Sequence, residues 1–284
     1  MDAATLESLL DYCLGHLVTA GDFARAIQGR GSPLGKSGSN AWTAALTDAD
    51  PAVQAYFEVA ILARDPSLGF FGEESAASRL SRYFQPRAET QICLDPINGT
   101  LLYQQGLDSW DILLSIVHRR RLRAVVSYVP ARGRFYLATR ERGALTGSRG
   151  QPRLAAMQPL RTRSGSRVCI GYEVPGVLAA LAGSFRTLDL IADHRPGRTP
   201  DNLNELFTGG VDAFACSAGD LLDWGALAFV VAAAGGGACR LDGEPLDFFD
   251  AFDPEGRADM LITSSPAVRD EILERLAGPG VSRC

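Results

Sequence analysis

The chain has 284 residues, 46% hydrophobic and 21% charged, with 28 basic against 33 acidic side chains and a net charge of −5. That length can bury a substantial core, as one large domain or two smaller ones, and an acid-leaning balance without a basic stripe argues against a nucleic-acid partner. Six scattered cysteines with no CxxC pair argue against a zinc site or a disulfide framework, and the longest apolar stretch, 225–239, is too short and too glycine-broken to span a bilayer.

The N-terminal residues are acidic and lack a basic n-region, so a secretory signal is not expected and the cytoplasm is the expected compartment. Leu6, Leu9, Leu10, Cys13, Leu14 and Leu17 recur at helical spacing and predict an amphipathic helix, resumed after Gly21 through Phe23 and Ile27. Residues 29–40, rich in Gly and Ser, read as a flexible loop. Asp48 and Asp50 before Pro51 mark the start of a second helix over 51–64.

Strands are predicted near 69–74, 91–95, 110–118 and 123–130, and the alternation across 132–150 predicts antiparallel hairpins. The basic run 119–123 reads as a solvated strand end. From about 164 follow a strand, a short helix (VLAALAGSF) and a further strand (TLDLIADH). Residues 203–236 read as helix, strand, loop and a buried helix with a glycine C-cap, and a last helix starts at Ser265-Pro266. The pattern is mixed α and β, an antiparallel-rich first half meeting an α/β second half near 150–165.

Four stretches place acids at the ends of apolar runs: LTDAD (46–50), FFGEES (70–75), LDPINGT (94–100) and LLDWGALA (221–228). Singly, each is explained by a helix cap or a turn. Together they suit a hard divalent cation, which takes carboxylate, carbonyl, hydroxyl and water oxygens.

Their order and composition resemble the inositol monophosphatase family, whose pattern runs Thr-x-x-Asp, Gly-Glu-Glu, Asp-Pro-Ile-Asp-Gly-Thr and then Trp-Asp before an apolar helix ending in Gly-Gly. Here the counterparts are Thr47-x-x-Asp50, Gly72-Glu73-Glu74, Asp95 to Thr100, and Leu222-Asp223 with Gly235-Gly236. The resemblance implies an α+β or α/β fold, a layered αβαβα sandwich of the inositol monophosphatase/fructose-1,6-bisphosphatase type. It further implies an N-terminal α+β domain (1–160) with most metal ligands and a C-terminal α/β domain (161–284) with Asp223 and the substrate pocket. The implied activity is hydrolysis of a small phosphate monoester by direct attack of a metal-activated water, with two or three Mg2+ ions and a homodimer. Glu73, Asp95, Ile97 (through its carbonyl), Asn98 and Asp223 would hold metal. Asp50 and Thr100, with Glu73, would act in catalysis. Asn98, Gly99, Thr100, Cys216 and Asp223 would meet a small phosphorylated metabolite.

The chain departs from the family at several points. Asn98 stands where the family has aspartate, which leaves open a natural variant in an active phosphatase, a homologue that has lost hydrolysis and only binds a phosphorylated ligand or partner, or an introduced inactivating change. Asp48 or Asp220 are acids that could compensate. Cys216 occupies the place of a glutamate that meets substrate hydroxyls, and 198–202 replace the family's small-residue stretch, so the leaving-group pocket is altered. Leu222 replaces the usual tryptophan while Trp224 follows Asp223, and Leu101, Leu102 and Tyr103 are expected to make one wall apolar. His16, His118 and His194 read as packing or surface residues, and Lys36 as a solvated loop lysine.

Overall fold

The computed structural model of the protein describes residues 1–30, 34, 36–85, 87–195 and 202–277; parts of the 29–40 loop and residues 198–201, named above, lie outside them. Two helices open the chain, α1 (Ala3–Ile27) and α2 (Ala49–Arg64). Seven strands follow, β1 (Gly69–Gly72), β2 (Thr90–Asn98), β3 (Asp111–His118), β4 (Arg121–Val129), β5 (Arg134–Thr139), β6 (Gly143–Ser148) and β7 (Gln158–Pro159), with the short helix α3 (Thr100–Gln104) after β2. They form one sheet in chain order, parallel only between β1 and β2.

The second half contributes β8 (Val168–Tyr172), α4 (Pro175–Leu181), β9 (Arg186–Asp189), β10 (Ala213–Asp220), α5 (Ala226–Ala233), β11 (Gly237–Cys239), β12 (Arg257–Thr263) and α6 (Pro266–Leu276). Its sheet has the order β11-β12-β10-β8-β9, with β9, β8 and β10 parallel and β12 antiparallel to both neighbours.

Side-chain alternation along the strands sets the layers. Ile112, Leu114 and Ile116 of β3 join Ala124, Val126 and Tyr128 of β4 in a core with Leu10, Leu14 and Leu17 of α1 and Phe57 and Ile61 of α2. The opposite faces, Leu113, Val117, Val125 and Val129, pack on α5 and, beyond it, on Phe214, Met260 and Ile262 of the second sheet. The far face of that sheet is covered by α4 and α6 through Leu178, Leu181, Val268 and Ile272. The stack is therefore helix, sheet, helix, sheet, helix. In α5, Ala226 to Val231 are all buried, as a helix held between two sheets requires.

Two sequence expectations need adjustment. The first helix is continuous through Gly21, because this glycine admits a neighbour instead of ending a helix: a Cβ there would lie 2.6 Å from Tyr128 Cε1. The basic run is a solvated strand end as expected, with Arg121 to Arg123 opening β4, but its first two residues, Arg119 and Arg120 at φ 51° and 64°, make a tight turn from β3, and Arg119 is paired to Glu89 at 3.0 Å. No helix among the described residues is long and apolar enough to cross a membrane.

Candidate active site

A cleft opens where the strand ends of the first sheet face the turn before α5. It is lined by Lys36, Glu73, Asp95, Ile97, Asn98, Gly99, Thr100 and Asp223, and on the other side by Trp42, Tyr172, Asn202, Asp220, Trp224 and Arg257. Strand β2 delivers Asp95. A register shift between Asp95 and Asn98 then breaks the β2–β3 ladder at Pro96, whose ring nitrogen cannot donate. The Ile97 amide donates to Asp95 Oδ1 at 3.0 Å, and Gly99 turns the chain into α3 at φ 90°, a left-handed conformation that favours glycine.

Parallel pairing of β1 with β2 brings Glu73 alongside, its amide donating to the Leu94 carbonyl at 3.0 Å. The glycine of Gly-Glu-Glu has a local reason. A Cβ at Gly72 would lie 2.2 Å from Gln54 Oε1, the oxygen that accepts the Glu74 amide at 2.9 Å. Helix α2 holds Asp50 in its first turn, fully buried. Asp50 Oδ2 accepts from the Thr47 amide at 2.9 Å and the Thr47 hydroxyl at 2.5 Å, and Thr100 Oγ1 lies 3.1 Å from Asp50 Oδ1 and 2.8 Å from the Ile97 carbonyl. Asp223 sits in a π-helical turn, Leu221–Gly225, a wide geometry frequent at functional sites.

These acids repel one another in a poorly solvated place. Burial, then the charges of Glu73, Asp223, Asp111 and Asp50, push the Asp95 carboxyl well above the usual range. Burial and then Glu73 and Asp220 do the same to Asp223, partly offset by a hydrogen bond with Asp95. Asp50 is pushed up to about 6 by burial, against the lowering effect of its Thr47 hydrogen bonds. Asp223 Oδ1 is buried without a hydrogen-bond partner. An orphaned carboxylate oxygen beside a second buried carboxylate is a donor set that suits a divalent cation.

Among the described residues, no group of three His, Cys, Asp or Glu side chains is gathered to hold a metal ion. Glu73 is turned onto Lys36 instead, with Nζ 2.5 Å from its Oε1 and 2.9 Å from Glu74 Oε1. Burial disfavours the Lys36 charge, but the two glutamates outweigh it and its pKa is raised. The lysine is thus an ion-paired wall of the cleft and not the solvated loop residue expected.

Asn98 meets an acid that lies outside every motif named above. Asp111, its cross-strand partner on β3, is fully buried and accepts from Asn98 Nδ2 at 3.0 Å. Asn202 Nδ2 at 3.2 Å, Asn204 Nδ2 at 3.3 Å and the Ser127 hydroxyl complete its shell. Burial pushes the Asp111 carboxyl up to about 6 against these four hydrogen bonds. The signal for it in the sequence is an acid opening the otherwise apolar strand DILLSIVH.

Cys216, expected at the substrate, does not line the cleft. It is fully buried, and burial pushes its thiol up to about 12. A register irregularity between Cys216 and Gly219, with Ala218 at φ 48°, carries the strand away, so Ala218, Gly219 and Asp220 face the cleft in its place. Asp220 is there ion-paired to Arg257 at 2.9 Å, whereas Asp48 is not among the lining residues. Trp224 faces the cleft and packs on Tyr172 and Phe214, and Leu222 is buried. Of the three apolar residues after Thr100, Leu102 reaches the cleft. His16 bonds Tyr56, His118 bonds Thr90, and His194 lies edge-on to Trp42; none lines the cleft.

The model of the inositol monophosphatase family matches residues 24–268. A curated relative, a glucose-1-phosphate thymidylyltransferase of Streptomyces griseus, is 29% identical over 215 residues, 69% of this chain and 75% of its own. In fold, the chain is similar to the Thermotoga maritima IMPase (TM-score 0.72, 19% identity, 95% of this chain and 96% of that one). It is also similar to an IMPase/NADP phosphatase solved with NADP and Ca2+ (TM-score 0.72, 16% identity, 99% of this chain and 99% of that one). With the family model spanning most of its length, the chain belongs to the inositol monophosphatase family.

Proposed function

We propose that this protein is a Mg2+-dependent phosphatase that hydrolyses a small phosphate monoester by direct attack of water. The observation that carries the reading is buried Asp95 with half-buried Asp223 close enough for their charges to repel, Asp223 Oδ1 lacking a partner, beside the Asp50–Thr100 hydrogen bond. Asp95, Asp223, Glu73, the Ile97 carbonyl and the Asn98 amide oxygen would hold two or three cations, once Glu73 exchanges its bond to Lys36. Bound there, Mg2+ would offset the crowded carboxylates, polarise the phosphoryl oxygens and acidify water.

The chain's own residues supply the proton path. Thr100 faces the cleft and Asp50 lies behind it, so a proton leaving water at Thr100 Oγ1 is relayed to the Asp50 carboxylate. Burial has raised Asp50 towards neutrality, which makes it a stronger base than an ordinary aspartate. Gly99 and Thr100 would place the phosphate, with Lys36 as a nearby counter-charge. The opposite wall, with Trp42, Tyr172 and Trp224, together with Leu102 near Thr100, favours a leaving group with an apolar or planar face over a bare polyol. We further propose a cytoplasmic homodimer, which rests on the sequence expectation and the family resemblance alone.

Asn98 favours a second reading, a homologue that binds a phosphorylated ligand without efficient hydrolysis. Phosphate release from a panel of sugar, inositol and nucleoside monophosphates, with and without Mg2+, separates the two. The phosphatase reading expects Mg2+-dependent release that Asp95→Ala abolishes. Release only after Asn98→Asp would favour the impaired homologue, and none from either form would defeat the phosphatase.

A further inference from the structure

Asn98 and Asp111 face each other across the β2–β3 ladder, and their chemistry fixes the amide's orientation. An ionised carboxylate only accepts hydrogen bonds, so the nitrogen of Asn98 must face Asp111; the reversed amide would set oxygen against oxygen at 3.0 Å. Asn98 Oδ1 is then left over, on a residue that lines the cleft beside Asp95 and Asp223.

Asp111 itself has no capacity to spare. Its Oδ1 accepts from Asn98 and Asn202, and its Oδ2 from Ser127 and Asn204. A carboxylate has about four lone-pair sites, and four donors occupy them here. It is absent from the cleft wall. Its negative charge nevertheless adjoins the site through a single hydrogen bond, and in a buried setting such a charge is felt strongly.

We propose that Asp111 is a positioning residue that holds the Asn98 amide with its oxygen towards the cation and supplies, one residue further out, the negative charge that Asn98 lacks. The carboxylate has in effect moved from the ligand position to the strand behind it, with the amide as the bridge. This rests on the cation reading above. Outer partners of metal ligands act in this way, and their loss costs roughly 10–100-fold in affinity.

The test is Mn2+ affinity, measured by electron paramagnetic resonance without substrate, together with thermal melting, on the wild type, Asp111→Asn and the exchange Asn98→Asp/Asp111→Asn. The exchange keeps the total charge and the same hydrogen bond with its roles reversed. Asp111→Asn is expected to weaken Mn2+ binding by about tenfold or more and the exchange to restore it to within about fivefold of wild type. Unchanged affinity in Asp111→Asn overturns the proposal. So does a weakened single variant that the exchange fails to rescue, the result expected if Asp111 merely ties β3, β4 and residues 202–204 together. If Asp111→Asn does not fold, the exchange is read alone: affinity within about fivefold supports the proposal and a larger loss overturns it. A wild type that binds no Mn2+ would instead remove the cation reading, and this inference with it.

Discussion

At the scale of single residues, the acids of the cleft repel one another where water is scarce. Asp223 is half-buried, has a buried and orphaned oxygen and is pushed towards its neutral form by poor solvation and by Glu73. Replacing it with asparagine removes a repelled charge and lets an amide donate to Asp95. We expect Asp223→Asn to melt higher than wild type without divalent cations, by roughly 2–4 °C for each kcal/mol relieved, while losing Mn2+ binding. A lower melting temperature would show that Asp223 is a stabilising group. Much of this neighbourhood is legible in the sequence, since Asp50, Glu73 and Asp95 to Thr100 sit in three short motifs that resemble the family's, although the β1–β2 pairing and the packing of α2 are what bring the three together. Asp111 is not, because a lone acid in an apolar strand announces burial but not which side chain it will meet. Lys36 is hidden for a similar reason: its partners lie 37 and 38 residues along the chain.

At the scale of elements, hydrophobic periodicity locates the strands and helices well, and spacing misleads where an element is irregular. The family resemblance puts Cys216 at the substrate, and the irregularity at Cys216–Gly219 carries the strand away from that place. Gly21 reads as an interruption of α1 because sequence cannot distinguish a glycine that ends a helix from one that admits Tyr128. The contact between α2 and β1 is a comparable close approach. Gly72→Ala would drive a methyl group into Gln54, whose Oε1 holds the Glu74 amide. Overpacking of this kind costs about 1–3 kcal/mol. Chemical denaturation should show that loss, with Mn2+ binding weakened through the displaced Glu73; wild-type values for both would mean that the β1–α2 gap is looser than the contact implies.

At the scale of the whole molecule, the buried acids give the protein an unusual pH dependence. Asp50 and Asp111 are each raised from 3.8 to about 6. Asp95 and Asp223 are raised as well. For a raised carboxyl the folded state holds its proton more tightly than the unfolded one, so its contribution is most favourable below the unfolded pKa. That contribution is lost as pH rises through the folded value. Asp50 and Asp111 would each contribute about 3 kcal/mol to this loss at neutral pH, since each tenfold gain in proton affinity on folding corresponds to about 1.4 kcal/mol. Without divalent cations, the melting temperature should rise between pH 7 and pH 5, where ordinary carboxylate-paired proteins begin to lose stability. Saturating Mg2+ should flatten that rise by favouring the ionised acids; a fall in melting temperature from pH 7 to pH 5 without cations would contradict the electrostatic picture.

One cleft collects groups from the ends of β1 and β2, the turn before α5 and the start of β12, with Asp50 at the start of α2 behind Thr100. In the function proposed above, the cleft adds water to a phosphate monoester with the help of a cation. That function is tested most directly by turnover in 18O-enriched water with Mg2+, following the isotope by mass spectrometry. One labelled oxygen per phosphate released, dependent on Mg2+ and abolished in Asp95→Ala, is the predicted result; unlabelled phosphate, or no release from any monoester in the panel, would contradict it.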